Sequence, residues 1–286
     1  MERAAFLLSH RGVVEVKGPD ALSFLQGLVT NDVERAVDGC AVYAALLTPQ
    51  GKVIVDFIIA AAEGGYWLDC AGERAGDLAA RLKKYKLRAK VEVADRSSEL
   101  GVAAVDDEAK GLSEAVVFPD PRLAALGWRA IGARGALEAA LGRAGYRLAP
   151  DSDYDERRIE LGVPDGGDIP AETAFPLDCN FEELHGVDFK KGCYVGQELT
   201  ARMKHRATAR KRIVPVSADV ELPLPGTNIT LAGAPIGEMR AARDRRGLAT
   251  IRLDRLGDAT EADADGVAIR IGTPAYPLIL PHGDGS

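Results

Sequence analysis

From Ile213 onward the sequence is cut into short β-type runs by proline and glycine, and this texture constrains the fold more than any other feature. The runs are 214–216, 228–231, 247–253 and 268–271, with Pro223-Leu224-Pro225-Gly226 among them. Short strands spaced by turn residues predict a small C-terminal β-barrel.

Upstream the texture is mixed. Residues 13–16 read as a strand, Pro19 suits a first helical turn, and 21–28 carries apolar residues at helical spacing. Strands are predicted at 41–47, 53–60 and 66–70, with a turn at Thr48-Pro49-Gln50-Gly51 and a hairpin at Gly64-Gly65. A helix follows over 72–87 with basic residues in its last turns, then strands at 91–93 and 101–105, then a helix over 137–144 ended by Gly145. This order from about 48 to 148 defines an α+β module. Asp151 and Asp153 open a further helix over 154–161, and 165–176 reads as an ordered loop over a site.

The chain has 286 residues, enough for two or three compact units, and a net charge of −7, so no global feature points to nucleic acid or an anionic membrane. Its longest apolar run, 53–62, is broken by Asp56 and falls short of the ~18 residues of a membrane helix. The N-terminal apolar stretch is too short for a signal peptide and is not an Arg/Ser-rich transit peptide. Cys40, Cys70, Cys179 and Cys193 form no C-x-x-C pair, so neither a zinc ribbon nor a self-contained cluster is indicated. Isolated cysteines fit a reducing cytoplasm, the expected location. Cys40 and Cys70, among apolar neighbours, are expected in the core.

The chemistry gathers in Lys190-Lys191-Gly192-Cys193-Tyr194-Val195-Gly196-Gln197-Glu198, followed by Leu199-Thr200-Ala201-Arg202. A cysteine beside lysines and opening a helix favours thiolate, a nucleophile or metal ligand; the bland alternative is a small residue packed between glycines. Gln197 and Glu198 suit a ring with amide-like donors and acceptors, or equally a helix N-terminus. Lys191 meets an acidic ligand tail or is a solvated charge. Arg202, Lys204, His205, Arg206, Arg210, Lys211 and Arg212 form a basic run without an acid, suited to an anionic ligand or RNA backbone, or a solvated connector. It has no interleaved aromatics, so stacking on nucleic-acid bases is not supported.

The run KKGCYVGQELTAR resembles the signature of the YgfZ family of folate-binding proteins, relatives of the glycine cleavage T-protein, an aminomethyltransferase. Gly18-Pro19-Asp20-Ala21, Phe24-Leu25-Gln26-Gly27-Leu28 and Thr30-Asn31-Asp32-Val33 resemble the family's opening, and Arg158-Ile159-Glu160-Leu161-Gly162-Val163-Pro164 its midsection. The resemblance implies a T-protein-like α+β ring of three domains around a central folate hole. Residues 1–47 with 149–210 would form a discontinuous first domain, 48–148 an inserted domain with ferredoxin-like modules, 211–281 the barrel, and 282–286 a disordered tail. It further implies tetrahydrofolate or a one-carbon derivative as cofactor, bound by Lys191, Gln197, Glu198, Arg202, Asn31, Asp32, Asp178 and Asn180, with Glu172 nearby. Cys193 becomes a functional thiol or a shared cluster ligand. The implied function is folate-dependent support of iron–sulfur (4Fe–4S) protein assembly or repair, and through it tRNA thiomodification. Its partners would be assembly proteins or 4Fe–4S client enzymes, with no membrane and no direct tRNA binding. The alternative is a one-carbon transferase. In the T-protein the strand matching 53–59 carries paired acids, and here Val55 replaces one, leaving Asp56; this disfavours an enzyme.

Overall fold

A computed structural model describes residues 3–108, 111–206 and 208–279. The tail at 282–286 lies outside them. The chain divides into two compact units, one of residues 1–47, 54–154 and 185–195, the other of 48–53, 155–184 and 196–286.

The first unit holds two five-stranded sheets. Its elements are β1 (Ala4–Leu7), β2 (Arg11–Lys17), α1 (Ala21–Gln26), β3 (Ala41–Leu47), β4 (Val53–Ala62), β5 (Gly65–Ala71) and α2 (Gly72–Tyr85). They continue with β6 (Glu92–Asp95), β7 (Leu100–Val105), β8 (Ala115–Pro119), β9 (Trp128–Ala133), α3 (Arg134–Arg143) and β10 (Arg147–Ala149). One sheet runs β3-β4-β5-β2-β6 and the other β10-β1-β7-β9-β8. β4 is buried over its first eight residues, so both faces of this strand are covered and it reads as a continuous apolar run. Ala62 pairs with Gly65, leaving the two-residue loop Glu63-Gly64, where Gly64 takes a φ of +75° that glycine alone adopts cheaply. In α2, Ala75, Leu78, Ala79 and Leu82 repeat at helical spacing and are buried. The helix lies close on β2 at Gly12, where a Cβ would come within 3.0 Å of Gly72 Cα and 3.1 Å of Ala75 Cβ.

Between these sheets runs a wholly buried ionic chain. Arg11 Nε donates to Asp69 at 2.6 Å, and Arg129 donates to both Asp69 and Asp120, the latter at 2.9 Å. Arg122 reaches Asp120 at 2.9 Å. Burial alone raises the Asp120 carboxyl, but the guanidinium groups of Arg122 and Arg129 reverse this and hold it below the usual carboxylate range.

The second unit contains most of α4 (Asp151–Glu160), then α5 (Gln197–His205), β11 (Lys211–Ser217), β12 (Asn228–Leu231), β13 (Ala234–Arg243) and β14 (Arg246–Arg252). It ends with α6 (Leu253–Leu256), β15 (Glu261–Ala264) and β16 (Val267–Ile271). The expected barrel is present and closed, in the order β11-β14-β13-β12-β15-β16, with Val216 pairing Ile271 across the seam. Val214, Ile229, Ile236, Met239, Ile251 and Ile269 fill it. One expectation needs correction, and one strand went unread. Cys40 is exposed, because a bridge between Val37 and Cys40 folds that segment into a surface turn. β13 belongs to the barrel although its polar sequence gave no strand signal. Among the described residues, no helix is long and apolar enough to cross a membrane.

Candidate functional site

In the first unit, residues 185–195 fold back onto the end of α1. The Lys191 ammonium donates to the carbonyls of Gln26 at 3.0 Å, Val29 at 2.7 Å and Asn31 at 2.7 Å. Gln26 closes α1, where carbonyls lack helical partners, and a lysine is a common way to satisfy them. The Tyr194 ring lies 5.2 Å from the ammonium. Burial pushes the Lys191 ammonium down to about 8, while Asp32 and Asp188 act to retain its proton.

Other bonds tie the same two segments. Thr30 Oγ1 donates to Gly186 O at 2.6 Å, Asn31 Nδ2 donates to His185 O at 2.7 Å, and the Asp188 amide donates to Thr30 O at 3.0 Å. Asn31 is buried and also donates to Tyr43 O, so both amide protons are used within the protein. Asp32 accepts from Gln26 Nε2 at 2.8 Å and caps a 3₁₀ turn at Glu34 N. The structure therefore gathers Lys191, Asn31 and Asp32 into one clamp beneath an exposed Cys193. Gly192 is exposed as well, and a Cβ placed there would meet nothing in the chain. Cys193 does not open a helix. Gly196 takes a left-handed φ of +82°, and α5 begins only after it, at Gln197.

Asp56 sits on β4, 3% exposed, and accepts from the Tyr43 hydroxyl at 3.1 Å. This is the paired buried acid, one of the two states a carboxylate inside an apolar strand can adopt.

The second unit holds the remaining candidates. Gln197 makes no side-chain hydrogen bond among the described residues. Glu198 pairs with Arg202 one turn on, at 2.6 Å. Asn180, fully buried in a left-handed turn, donates to Ile213 O at 2.6 Å and accepts from Ile213 N at 3.0 Å, fastening its loop to β11. Burial raises the Asp178 carboxyl, opposed by Lys211, Arg212 and Lys52. Lys52 donates to Thr173 O at 2.7 Å, lies 3.2 Å from the Phe175 ring, and is lowered by burial. Sequence reasoning missed Lys52; its only signal was its place directly after the turn at Gly51. Three members of the basic run meet acids remote in sequence, Lys204 on Glu182, Arg212 on buried Glu183 at 2.6 Å, and Arg210 3.5 Å from Asp254. Among the described residues, no three His, Cys, Asp or Glu side chains gather to hold a metal.

Residues 3–107 match the GCVT N-terminal domain family and residues 210–277 the CAF17 C-terminal β-barrel domain. The whole chain is similar in fold to the glycine cleavage system aminomethyltransferase T of Bartonella henselae, with a TM-score of 0.77 over 98% of this chain and 88% of that one. At 16% identity this likeness speaks for fold alone. The mitochondrial iron–sulfur cluster assembly factor IBA57 of Homo sapiens is 36% identical, over 88% of this chain and 78% of its own. The chain belongs to the IBA57 family. The IBA57 homologue of Neurospora crassa is likewise 36% identical, over 73% of this chain, and that of Mycosarcoma maydis 39%. The chain spans about half the length of these two IBA57 relatives, 52% and 55%. All three relatives are mitochondrial proteins by name, which overturns the expectation of a cytoplasmic one.

Proposed function

We propose that this protein supports the assembly of iron–sulfur proteins through the thiol of Cys193, presented to a partner rather than to a resident metal. The clamped loop supports this reading most directly. Three carbonyl contacts from Lys191 fix the segment two residues before the cysteine, yet Cys193 itself stays exposed. Gly192 is required neither by a left-handed φ nor by packing, which leaves the approach to the sulfur open. A single thiolate supplies one cluster ligand, so a cluster handled here is cargo shared with a second protein. Iron–sulfur proteins of the 4Fe–4S type are the clients proposed, as in the YgfZ resemblance.

The finer reading is that tetrahydrofolate binds the same chain. The open amide of Gln197 and the partly buried Asp178 carboxyl have the donor and acceptor chemistry a pterin requires. Lys191, Asn31 and Asn180 spend their donors within the protein, so they shape the fold around a ligand rather than grip it. Asp56, held by Tyr43, supports an accessory role over aminomethyl transfer.

Two experiments test this. Cells carrying Cys193→Ala are expected to lose 4Fe–4S enzyme activity; wild-type activity would end the thiol reading. Anaerobic calorimetry with tetrahydrofolate is expected to give saturable binding; a flat titration removes the folate reading and leaves the thiol reading standing.

A further inference from the structure

We propose that the outer wall of the barrel carries a docking groove for an acidic segment of a partner protein. The groove encloses about 230 Å³ and is lined by Lys211, Arg240, Arg252 and Arg255 around Gly237 and Thr250. Its construction is costly to the sheet. The β11–β14 register sets Lys211 directly opposite Arg252, and like charges so placed destabilise a ladder. Arg240 occupies the bulge between Met239 and Ala241, a device that re-aims a side chain. It donates to Thr250 Oγ1 at 2.8 Å and to Glu238 at 2.7 Å. Among the described residues, Arg255 bonds only the Pro235 carbonyl, at 2.9 Å. At the floor, a Cβ on Gly237 would lie 2.2 Å from Thr250 O, so bare backbone is obligatory there.

The local charge is left unbalanced. Glu238 answers Arg240, and Asp254 is shared between Arg252 at 2.7 Å and Arg210 at 3.5 Å. Asp178 is largely buried and accepts the Lys211 backbone N–H. The Lys211 ammonium makes no ion pair or side-chain hydrogen bond among the described residues. On a chain of net charge −7, such a patch attracts acidic surfaces and repels copies of itself. The groove is smaller than the roughly 300–1,000 Å³ of small-molecule pockets and suits one or two side chains of a docked segment. Arginine is favoured at protein interfaces, and no aromatic lines the groove for base stacking.

The test is fluorescence anisotropy of a labelled oligoglutamate peptide with the full chain. Saturable binding that weakens with salt is expected, about tenfold weaker in the double variant Lys211→Glu/Arg255→Glu. The milder Lys211→Gln/Arg255→Gln pair guards against misfolding and is expected to weaken binding in the same direction. Arg245→Glu, at the β13–β14 turn, is expected to change nothing. Unaltered binding in both double variants, equal loss in Arg245→Glu, or tighter binding of a single-stranded oligonucleotide to the groove would each overturn the proposal.

Discussion

The ionic chain of the first unit and the ion pairs on the barrel wall use the same residue types for opposite ends. Arg129, Asp69 and Asp120 have no exposed side-chain surface, and each charge is answered by two partners or by a bidentate contact. On the barrel, Arg270 and Asp219 pair at 2.6 Å with side chains 50% and 84% exposed. Buried charges are expensive to leave unpaired, whereas exposed pairs are screened and nearly neutral. The first arrangement fixes which strands lie together; the second keeps a surface available. Lys191, half-buried, stands between them.

The largest effect is expected at Arg129. Arg129→Met takes one guanidinium partner from each of Asp69 and Asp120, leaving them Arg11 and Arg122, and should cost about 3–5 kcal/mol in urea unfolding. A loss no greater than that of a surface arginine would erase the contrast. Acid should reveal the same chain. The folded Asp120 value lies below the unfolded value of about 3.9, so its contribution is complete above the unfolded value and is lost as pH falls below that and through the folded one. The urea midpoint should therefore drop between neutral and acid pH, with a shallower drop in Asp120→Asn. Lys191→Met should be intermediate, about 1.5–3 kcal/mol for its charge-assisted bonds. Cys193 alkylation should accelerate in that variant, with rescue by Lys191→Arg; an unchanged rate would mean that the clamp does not govern the thiol. Asp219→Asn should leave the thermal midpoint unmoved, and a clear shift there would sharpen the comparison in the wrong direction.

Much of this was legible in the sequence, and the gaps have physical causes. Strand β3 and strand β12 were readable to the residue because β-branched and apolar runs are bounded by turn formers. β9 was not, since Arg129 near its start reads as surface until its carboxylate partners arrive from β5 and the turn after β8. β13 was hidden by its bulge. Against β12 the pairing passes from Pro235 to Gly237 and skips Ile236, so Ile236 and Met239 are both buried and the alternation of period two slips by one residue. At the candidate site the signature loop was legible, but the fate of Lys191 was not. Three carbonyl acceptors leave no mark on side-chain identity, so a lysine that binds backbone looks the same in sequence as one that awaits a ligand. Cys40 misled for the related reason that apolar neighbours do not reveal a turn.

The seam between β11 and β16 has a consequence for how this protein ages. A barrel closed on itself offers no rim on which a stray strand can grow, while the two open sheets end in β3 and β6, and in β10 and β8. Template-driven aggregation, when the chain is stressed, should therefore begin from those four margins, and the barrel should be the last part recruited into a fibre.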